Sequence, residues 1–365
     1  MNLDYRSTAP RSIVRFEDTA RDPLDQLGER DLAQVVEIFN TPLAGHYNWD
    51  YRIQDDRIKK LYQLGKQLNW DSEVDINWER PVAIDQMPEI NNLVGYEPYE
   101  SLSPASKDEF WRHSQSWTLS QFLHGEQGAL LVASQLASCA PTLNAKLYAA
   151  SQTFDEARHV ETFNRFIRER VKMMYPVNHH LKGILDRILS DPRWDLKFIG
   201  MQIVIEGLAL SAFNTMRSVC TDQVLRDLLY LVTRDEARHV TFGINYLEDF
   251  VKNLSQQERE DRALFAYEAC VVSRDRLIAT DVFEHFGWDV EETRKQVLGG
   301  EVYSHFRTAL FSRVVPNLKR IGLMTDAIRP KFEALGILDY EDWPDDGDID
   351  WAQMSRPLNA KEDVA

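Results

Sequence analysis

A mainly α-helical protein built around four long helices is predicted by three features of the sequence. From about Pro104 to Phe250 proline is scarce, and apolar residues recur at intervals of three and four, the period of a helix buried along one stripe. Pro141, Pro176 and Pro192 interrupt this pattern and divide it into segments. Alternating strand patterns are weak along the whole chain.

Taken in order, the first forty residues are charged and weakly patterned, and read as an arm or a peripheral helix. Residues 55–69 (DDRIKKLYQLGKQLN) form a short amphipathic helix, with Ile58, Leu61, Tyr62, Leu64 and Leu68 near helical spacing. The stretch 70–104 holds Trp70, Trp78, Pro81, Pro88 and Pro98, which suits an irregular cover packed on the body. The four long helices fall at about 106–139, 142–174, 192–219 and 221–253, with a short connecting helix over 178–190. Further helices at about 256–286, 290–298 and 302–324 flank them. From Asp339 the chain is acidic and turn-rich (DYEDWPDDGDIDW), as expected of an extended surface tail. The expected divisions are therefore an arm, short helix and cover over 1–104, the bundle over 105–254, accessory helices over 255–338 and the tail over 339–365.

The chain has 365 residues, 44% of them hydrophobic, enough for a sizeable core. Its 58 acidic and 42 basic side chains give a net charge of −16, which argues against duplex DNA or an anionic membrane as partner. Cys139, Cys220 and Cys270 lie far apart with no C-x-x-C pair, which excludes a disulfide framework, a zinc knuckle and a rubredoxin-type module. Met1–Phe16 lacks the apolar run of a secretory signal, and the apolar stretch Gly128–Ala140 is interrupted by Ser134, Gln135 and Ser138. A soluble cytoplasmic protein is expected.

The chemistry lies in a repeat. Asp155-Glu156-Ala157-Arg158-His159-Val160 recurs unchanged as Asp235-Glu236-Ala237-Arg238-His239-Val240, 80 residues later. Each copy follows a glutamate, Glu126 or Glu206, by 30 residues. Glu at i and His at i+3 project from one helix face one turn apart, so both can reach one ion. Thirty residues let a helix leave a site, turn and return to the same height. Two such hairpins bring four carboxylates and two imidazoles together, a donor set that suits iron or manganese. A lone Glu-x-x-His is usually a solvated face. Here only His159 and His239 among nine histidines have a glutamate three residues before them, and Glu126 and Glu206 sit among apolar residues. Buried without counter-charge, such carboxylates would cost several kcal/mol each.

In these residues the sequence resembles the ferritin-like di-iron carboxylate superfamily, a four-helix bundle with metals in its core. The doubled Asp-Glu-x-Arg-His is similar to the hydroxylase subunits of bacterial multicomponent monooxygenases. That resemblance implies a ferritin-like fold, with Glu126, Glu156 and His159 on one iron and Glu206, Glu236 and His239 on the other, and with Glu156 and Glu236 bridging. Two Fe ions, or Mn or a mixed Mn/Fe pair, would act with O2 as co-substrate. Asp155 and Asp235 each lie four residues before a ligand histidine and can receive its second N–H. The resemblance favours pairing each with the facing histidine, while capping of exposed surface is the alternative. Arg158 and Arg238 either neutralise these aspartates or form ordinary surface pairs.

Departures from related families narrow the reading. Ferritin-type storage proteins are much shorter. Ribonucleotide reductase small subunits usually keep a radical tyrosine where Phe163 stands here. Arylamine N-oxygenases carry an extra histidine at the position of Val232, and multicomponent monooxygenases a threonine at that of Leu210, which Ser211 follows. The main expectation is a di-iron oxygenase that oxidises a small organic substrate. N-oxygenation of an amine, a reductase-like radical role and a helical interaction protein with a structural metal are the alternatives. Residues one turn from the ligands are candidate pocket walls: Phe122, Ala129, Ala133, Phe163, Gln202, Ala209, Phe213 and Gly243. The same residues also suit plain bundle packing. With no flavin, haem or cysteine motif, an external reductase or ferredoxin must supply electrons; a homodimer is the assembly considered.

Overall fold

The computed structural model describes residues 12–16, 36–83, 92–356 and 358. Most of the expected N-terminal arm, and Pro88 of the cover, lie outside them. Helix α1 (Asp56–Gln67) starts where the Asp55 carboxylate accepts the N–H groups of Arg57 and Ile58. It buries Ile58 and Leu61 against the bundle, and a Cβ at Gly65 would lie 2.7 Å from Ser151 Oγ, which shows how closely it crosses the bundle.

The bundle consists of two hairpins. Helix α2 (Pro104–Cys139) is capped by Ser103 with proline at its first position, and α3 (Leu143–Phe166) is capped by Thr142. Pro141 stands in the turn between them. Beyond the short helix α4 (His179–Ser190), the second hairpin joins α5 (Trp194–Val219) to α6 (Gln223–Val251), the latter capped by Asp222. Accessory helices α7 (Gln256–Asp275), α8 (Thr280–His285), α9 (Val290–Gly299), α10 (Glu301–Ala309) and α11 (Val314–Arg320) pack outside it. The largest apolar cluster draws residues from Ile58 in α1 to Ile337 near the tail, so the flanking segments share the bundle's core. Each leucine, isoleucine or valine fully buried there contributes roughly 1.5–3 kcal/mol. Helix α5 is long and apolar enough to cross a bilayer, but 83% of that window is buried inside the fold, as befits a core helix.

The structure departs from the expected boundaries in four places, each for a local reason. Helix α3 does not run to 174: it widens into a π-helical turn, Ile167–Val171, and ends at Lys172 with φ +63°. The chain then turns extended towards Pro176, and Met173–Met174 pairs antiparallel with Val14–Arg15. The stretch expected as 256–286 breaks after Asp275, and α8 resumes where Asp281 accepts the Trp117 indole N–H at 2.7 Å. Between α10 and α11 the segment Leu310–Ser312 is a tight 3₁₀ turn, and Pro316, with no N–H to donate, sits in the first turn of the restarted helix. The acidic tail is not all surface. Asp346 is buried, accepts from Arg313 and Asn317 at 2.6 and 2.9 Å, and its carbonyl takes the Thr241 hydroxyl on α6.

One buried histidine on α2 makes stability pH-dependent. His113 is fully enclosed, 2.6 Å from the Tyr175 hydroxyl and stacked on His285 at 4.1 Å. Burial first, then the charge of His285, pulls it down to about 4. A histidine depressed in the fold contributes stability that is complete above its unfolded value near 6.5 and is lost as pH falls towards 4. Up to about 3 kcal/mol is at stake. Thermal melts between pH 4 and 7 should therefore show a smaller drop with acidification in His113→Phe than in the wild type; equal slopes would assign the acid sensitivity to other groups.

Candidate metal centre

The repeat converges as its spacing predicts. Glu126 on α2, Glu156 and His159 on α3, Glu206 on α5, and Glu236 and His239 on α6 are all at most 5% exposed. Their ligand atoms form two overlapping groups, Glu126–Glu156–His159–Glu236 and Glu156–Glu206–Glu236–His239, within each of which every atom lies within 4.8 Å of the others. Glu156 and Glu236 belong to both groups. Glu156 presents one oxygen to His159 Nδ1 at 3.3 Å and the other to His239 Nδ1 at 3.1 Å. Glu236 does the same at 3.2 and 3.7 Å, and Glu126 stands 3.2 Å from His159 Nδ1.

Both imidazoles thus turn Nδ1 towards the carboxylates and Nε2 outwards. The outward nitrogens meet the aspartates of the opposite copy: His159 Nε2 lies 3.2 Å from Asp235, and His239 Nε2 lies 3.3 Å from Asp155. This is the crossed arrangement. A hydrogen on Nε2, donated to an aspartate, leaves the Nδ1 lone pair free to face inwards.

Arg158 and Arg238 are not surface pairs. Both are buried, and each bridges both aspartates: Arg158 donates to Asp155 at 2.5 Å and Asp235 at 3.0 Å, and Arg238 to Asp155 at 3.1 Å and Asp235 at 2.7 Å. Trp70, in the cover segment, adds its indole N–H to Asp235 at 2.7 Å and stacks over His159. Asn69 beside it accepts from Arg158. Two aspartates and two arginines form a quartet that is neutral in itself, so it offsets none of the charge on the four glutamates.

That charge shapes the protonation of the cluster. Burial first, and then the neighbouring Glu236, pushes the carboxyls of Glu126 and Glu206 well above the usual carboxylate range. Burial acts hardest on Glu156 too, but His239 and His159 together outweigh it and hold that carboxyl low. Burial opposes protonation of both histidines, yet Glu126 beside His159 and Glu156 beside His239 lead a set of neighbours that raise them well above their ordinary value. Glu126, Glu206 and both histidines therefore favour their protonated forms, while Glu156 stays ionised between the two imidazoles. Several donor atoms of the site also lack hydrogen-bond partners: Glu206 Oε2, both oxygens of Glu236, and His239 Nδ1. Buried acceptors normally find partners, and these all point into one space. The donor set fits a pair of divalent cations, whose four charges would match four glutamates.

Glu206 is positioned by an irregularity that the sequence pattern does not reveal. Within α5 the segment Ile199–Ile205 is a π-helix, and the Glu206 N–H reaches back five residues to Met201. Such wide turns shift everything that follows them around the helix and recur at functional sites. Gln152, one turn before Glu156, donates to Glu206 at 2.9 Å and to Glu156 at 3.1 Å. Its position four residues before a ligand was legible in the sequence. Trp70 carried no comparable signal, being distant in the chain.

A cavity of about 300 Å³ opens beside the cluster between α2 and α5, with Glu126, Glu206 and Glu236 in its wall. Phe122, Ala129, Ala209 and Phe213 line it, and Trp111, Trp117 and Phe306 add further aromatic surface. The other four expected pocket residues do not line it. Ala133, a turn beyond Ala129, is wholly buried in the helix seam. Phe163 packs behind the wall, 6.1 Å from Phe122 and 5.9 Å from Phe213 between ring centroids. Gln202 reaches Gln152 at 3.4 Å instead, and a Cβ on Gly243 would come within 2.7 Å of Gln202, so that pair is a close helix crossing. Arg276, at the end of α7, lines the cavity and was not foreseen.

Among solved structures, the R2-like ligand-binding oxidase with aerobically reconstituted Mn/Fe cofactor is 19% identical, with a TM-score of 0.46, covering 76% of this chain and 94% of that one. A single-residue variant of that oxidase with anaerobically reconstituted Mn/Fe cofactor is also 19% identical, with a TM-score of 0.49, covering 76% of this chain and 100% of that one. No curated protein matches. The profile of the family described as p-aminobenzoate N-oxygenase AurF matches residues 52–322, which include all four bundle helices, both copies of the repeat and the cavity. The match holds although Val232, fully buried and apolar, stands where an extra histidine was expected of an N-oxygenase. The chain belongs to the AurF family, di-iron oxidoreductases that act on small molecules with O2.

Proposed function

We propose that Glu126, Glu156, His159, Glu206, Glu236 and His239 hold two iron ions, or a manganese–iron pair, and that the enzyme oxidises the nitrogen of a small aromatic amine seated in the adjoining cavity. The observation that carries this reading is the juxtaposition itself: an aromatic-walled chamber shares Glu126, Glu206 and Glu236 with the carboxylate–histidine cluster. Family membership supplies the reaction class.

The residues divide the work. Glu156 and Glu236 face both histidines and are placed to span two ions. Asp155 and Asp235 hold each imidazole in one tautomer, and the two arginines hold the aspartates. Gln152 fixes Glu206 and Glu156 from behind. Phe122, Phe213 and the two tryptophans keep the chamber poor in water. The ions, when bound, supply the redox capacity that activates O2. Insertion of one oxygen atom into an N–H bond sends the other to water and needs two electrons and two protons from outside the chain. The three cysteines are buried and separate. An external reductase or ferredoxin is the proposed donor, and a basic docking face on it would suit a surface of net charge −16.

Metal analysis of the purified protein, followed by product analysis with arylamines, reductant and O2, tests the reading. Two metal equivalents and a hydroxylamine or more oxidised nitrogen product are expected. Ring-hydroxylated products alone would favour the second reading, carbon hydroxylation, which the two-histidine donor set and Val232 permit.

A further inference from the structure

The cavity runs along the bundle and not across it. On α2 its lining includes Trp111, Ser114, Thr118, Phe122, Gly125 and Ala129, spaced by three and four, which is one stripe of a helix. On α5 it includes Ile205, Ala209, Ala212, Met216 and Val219, at the same spacing. Trp111 to Ala129 is about 27 Å along the helix axis, and Ile205 to Val219 about 21 Å. Glu126 and Glu206 stand near one end of each stripe. The cavity therefore leaves the cluster towards the start of α2 and the end of α5. Phe122 and Phe213, edge to face at 4.8 Å, mark its first turn. A single anilinic ring with its nitrogen at the cluster spans little more than one helical turn and leaves most of this length unfilled.

Beyond the three glutamates, Arg276 at the end of α7 is the one charged side chain among the described residues that line it. The polar groups along the passage are already engaged, so that the walls present carbon. Thr118 and Thr215 donate to carbonyls of the preceding turn, Gln121 is bonded to Pro176 and Asn178, and the Trp117 indole to Asp281. A water molecule in such a passage finds few partners. Gly125 keeps the passage wide beside the metals. A Cβ built on it would meet nothing within 4 Å, so it faces open space one residue before Glu126. Gly128 on the same helix differs, since its Cβ would come within 2.4 Å of Leu185 and packing requires the glycine. No packing requires Gly125, and glycine inside a helix costs stability relative to alanine. What its missing side chain secures is room.

We propose that the substrate is longer than one ring: an arylamine that carries, opposite its nitrogen, an unbranched apolar arm lying between the α2 and α5 stripes. The inference rests on the reading that the cavity holds the amine to be oxidised, and it adds the part of the molecule that the metal cluster never touches. The direction of the arm follows from the geometry. The passage leaves the cluster along the helix axes, so an arm can enter it only from the ring position that faces away from the metals. Burying the arm supplies binding energy remote from the reacting nitrogen, which keeps the ring in register with Glu126, Glu206 and Glu236.

Binding, measured by calorimetry on the metal-loaded protein without reductant, tests this apart from any turnover. The probes are aniline and its 4-ethyl, 4-butyl and 4-hexyl derivatives, with 2-butylaniline as the misdirected isomer. Each methylene buried should tighten binding about fourfold, so 4-butylaniline should bind roughly a hundredfold or more tightly than aniline. The 2-isomer should gain no more than about one methylene's worth, a factor of about four. Ala212→Phe puts a ring into the passage nearly two turns beyond Glu206 and should end the rise after the ethyl member. Met216→Trp, a turn further on, should end it only after the butyl member. A flat series in the wild type would overturn the proposal whatever the variants do. So would a 2-butylaniline that binds like its 4-isomer, or folded variants that both keep the whole rise. The two readings fail separately. Length-dependent binding without any nitrogen product would sink N-oxygenation and leave the elongated site standing, whereas amine oxidation with a flat series would do the reverse.

Discussion

Replacing His239 with alanine is expected to lower bound metal from two equivalents to at most one, and to cut oxidation at least about a hundredfold. The imidazole is wholly buried and is the nitrogen donor of one of the two ligand groups. Even an outer partner of a metal ligand is commonly worth 10–100-fold in affinity or activity, so loss of the ligand itself should cost more. Alanine is the best helix former, and His239 lies in the middle of α6, so helical content should stay near that of the wild type. Glu126→Ala should act in the same way on the other group. Metal analysis beside circular dichroism checks both. A His239→Ala protein that retains two ions would show that the ligand set has been chosen wrongly.

Asp235→Ala should have the largest effect on stability. Its two oxygens receive Arg238 at 2.7 Å, Arg158 at 3.0 Å, the Trp70 indole at 2.7 Å and His159 at 3.2 Å, all in the interior. Arg238, with the other partners, overcomes a strong burial penalty and holds this carboxyl well below its usual range. Removing it leaves two guanidinium groups sharing Asp155. Breaking a buried pair in this way costs about 3–5 kcal/mol, and metal affinity should fall by roughly 10–100-fold as His159 loses its anchor. Asp235→Asn keeps the shape and one acceptor oxygen and should lose less. Thermal melts and metal titrations of the two variants test this; an Asp235→Ala protein that melts with the wild type would mean that the quartet does not carry the charge balance described.

The six-residue cluster was legible because helix geometry converts spacing into position. A Glu-x-x-His and a glutamate thirty residues earlier have few ways to be arranged once both helices are amphipathic. The crossed pairing of the aspartates was implied by the family resemblance alone, since a place four residues before a histidine leaves its own and the facing imidazole both within reach. The burial of Arg158 and Arg238 was not legible, since a residue two positions from a buried one can face either solvent or a neighbouring helix, and only the cover segment with Trp70 decides which. Half of the expected pocket failed for a related reason. One turn from a ligand locates Phe122 and Gly243 equally well, yet the first faces open space and the second a helix crossing. Arg276 was invisible because the chain that brings it to the cavity is 150 residues from Glu126. The wide turn before Glu206 was hidden too, as a single extra residue barely alters the spacing of apolar side chains.

That wide turn has a consequence for how the two hairpins relate. They are spelled alike, but only α5 carries the inserted residue next to its glutamate, and Gln152 of the first copy faces carboxylates where its counterpart Val232 is packed in an apolar cluster. A duplicated text has been given two different settings. The halves are consequently not interchangeable: an amide on α3 reaches the carboxylates, while the matching place on α6 is filled by hydrocarbon.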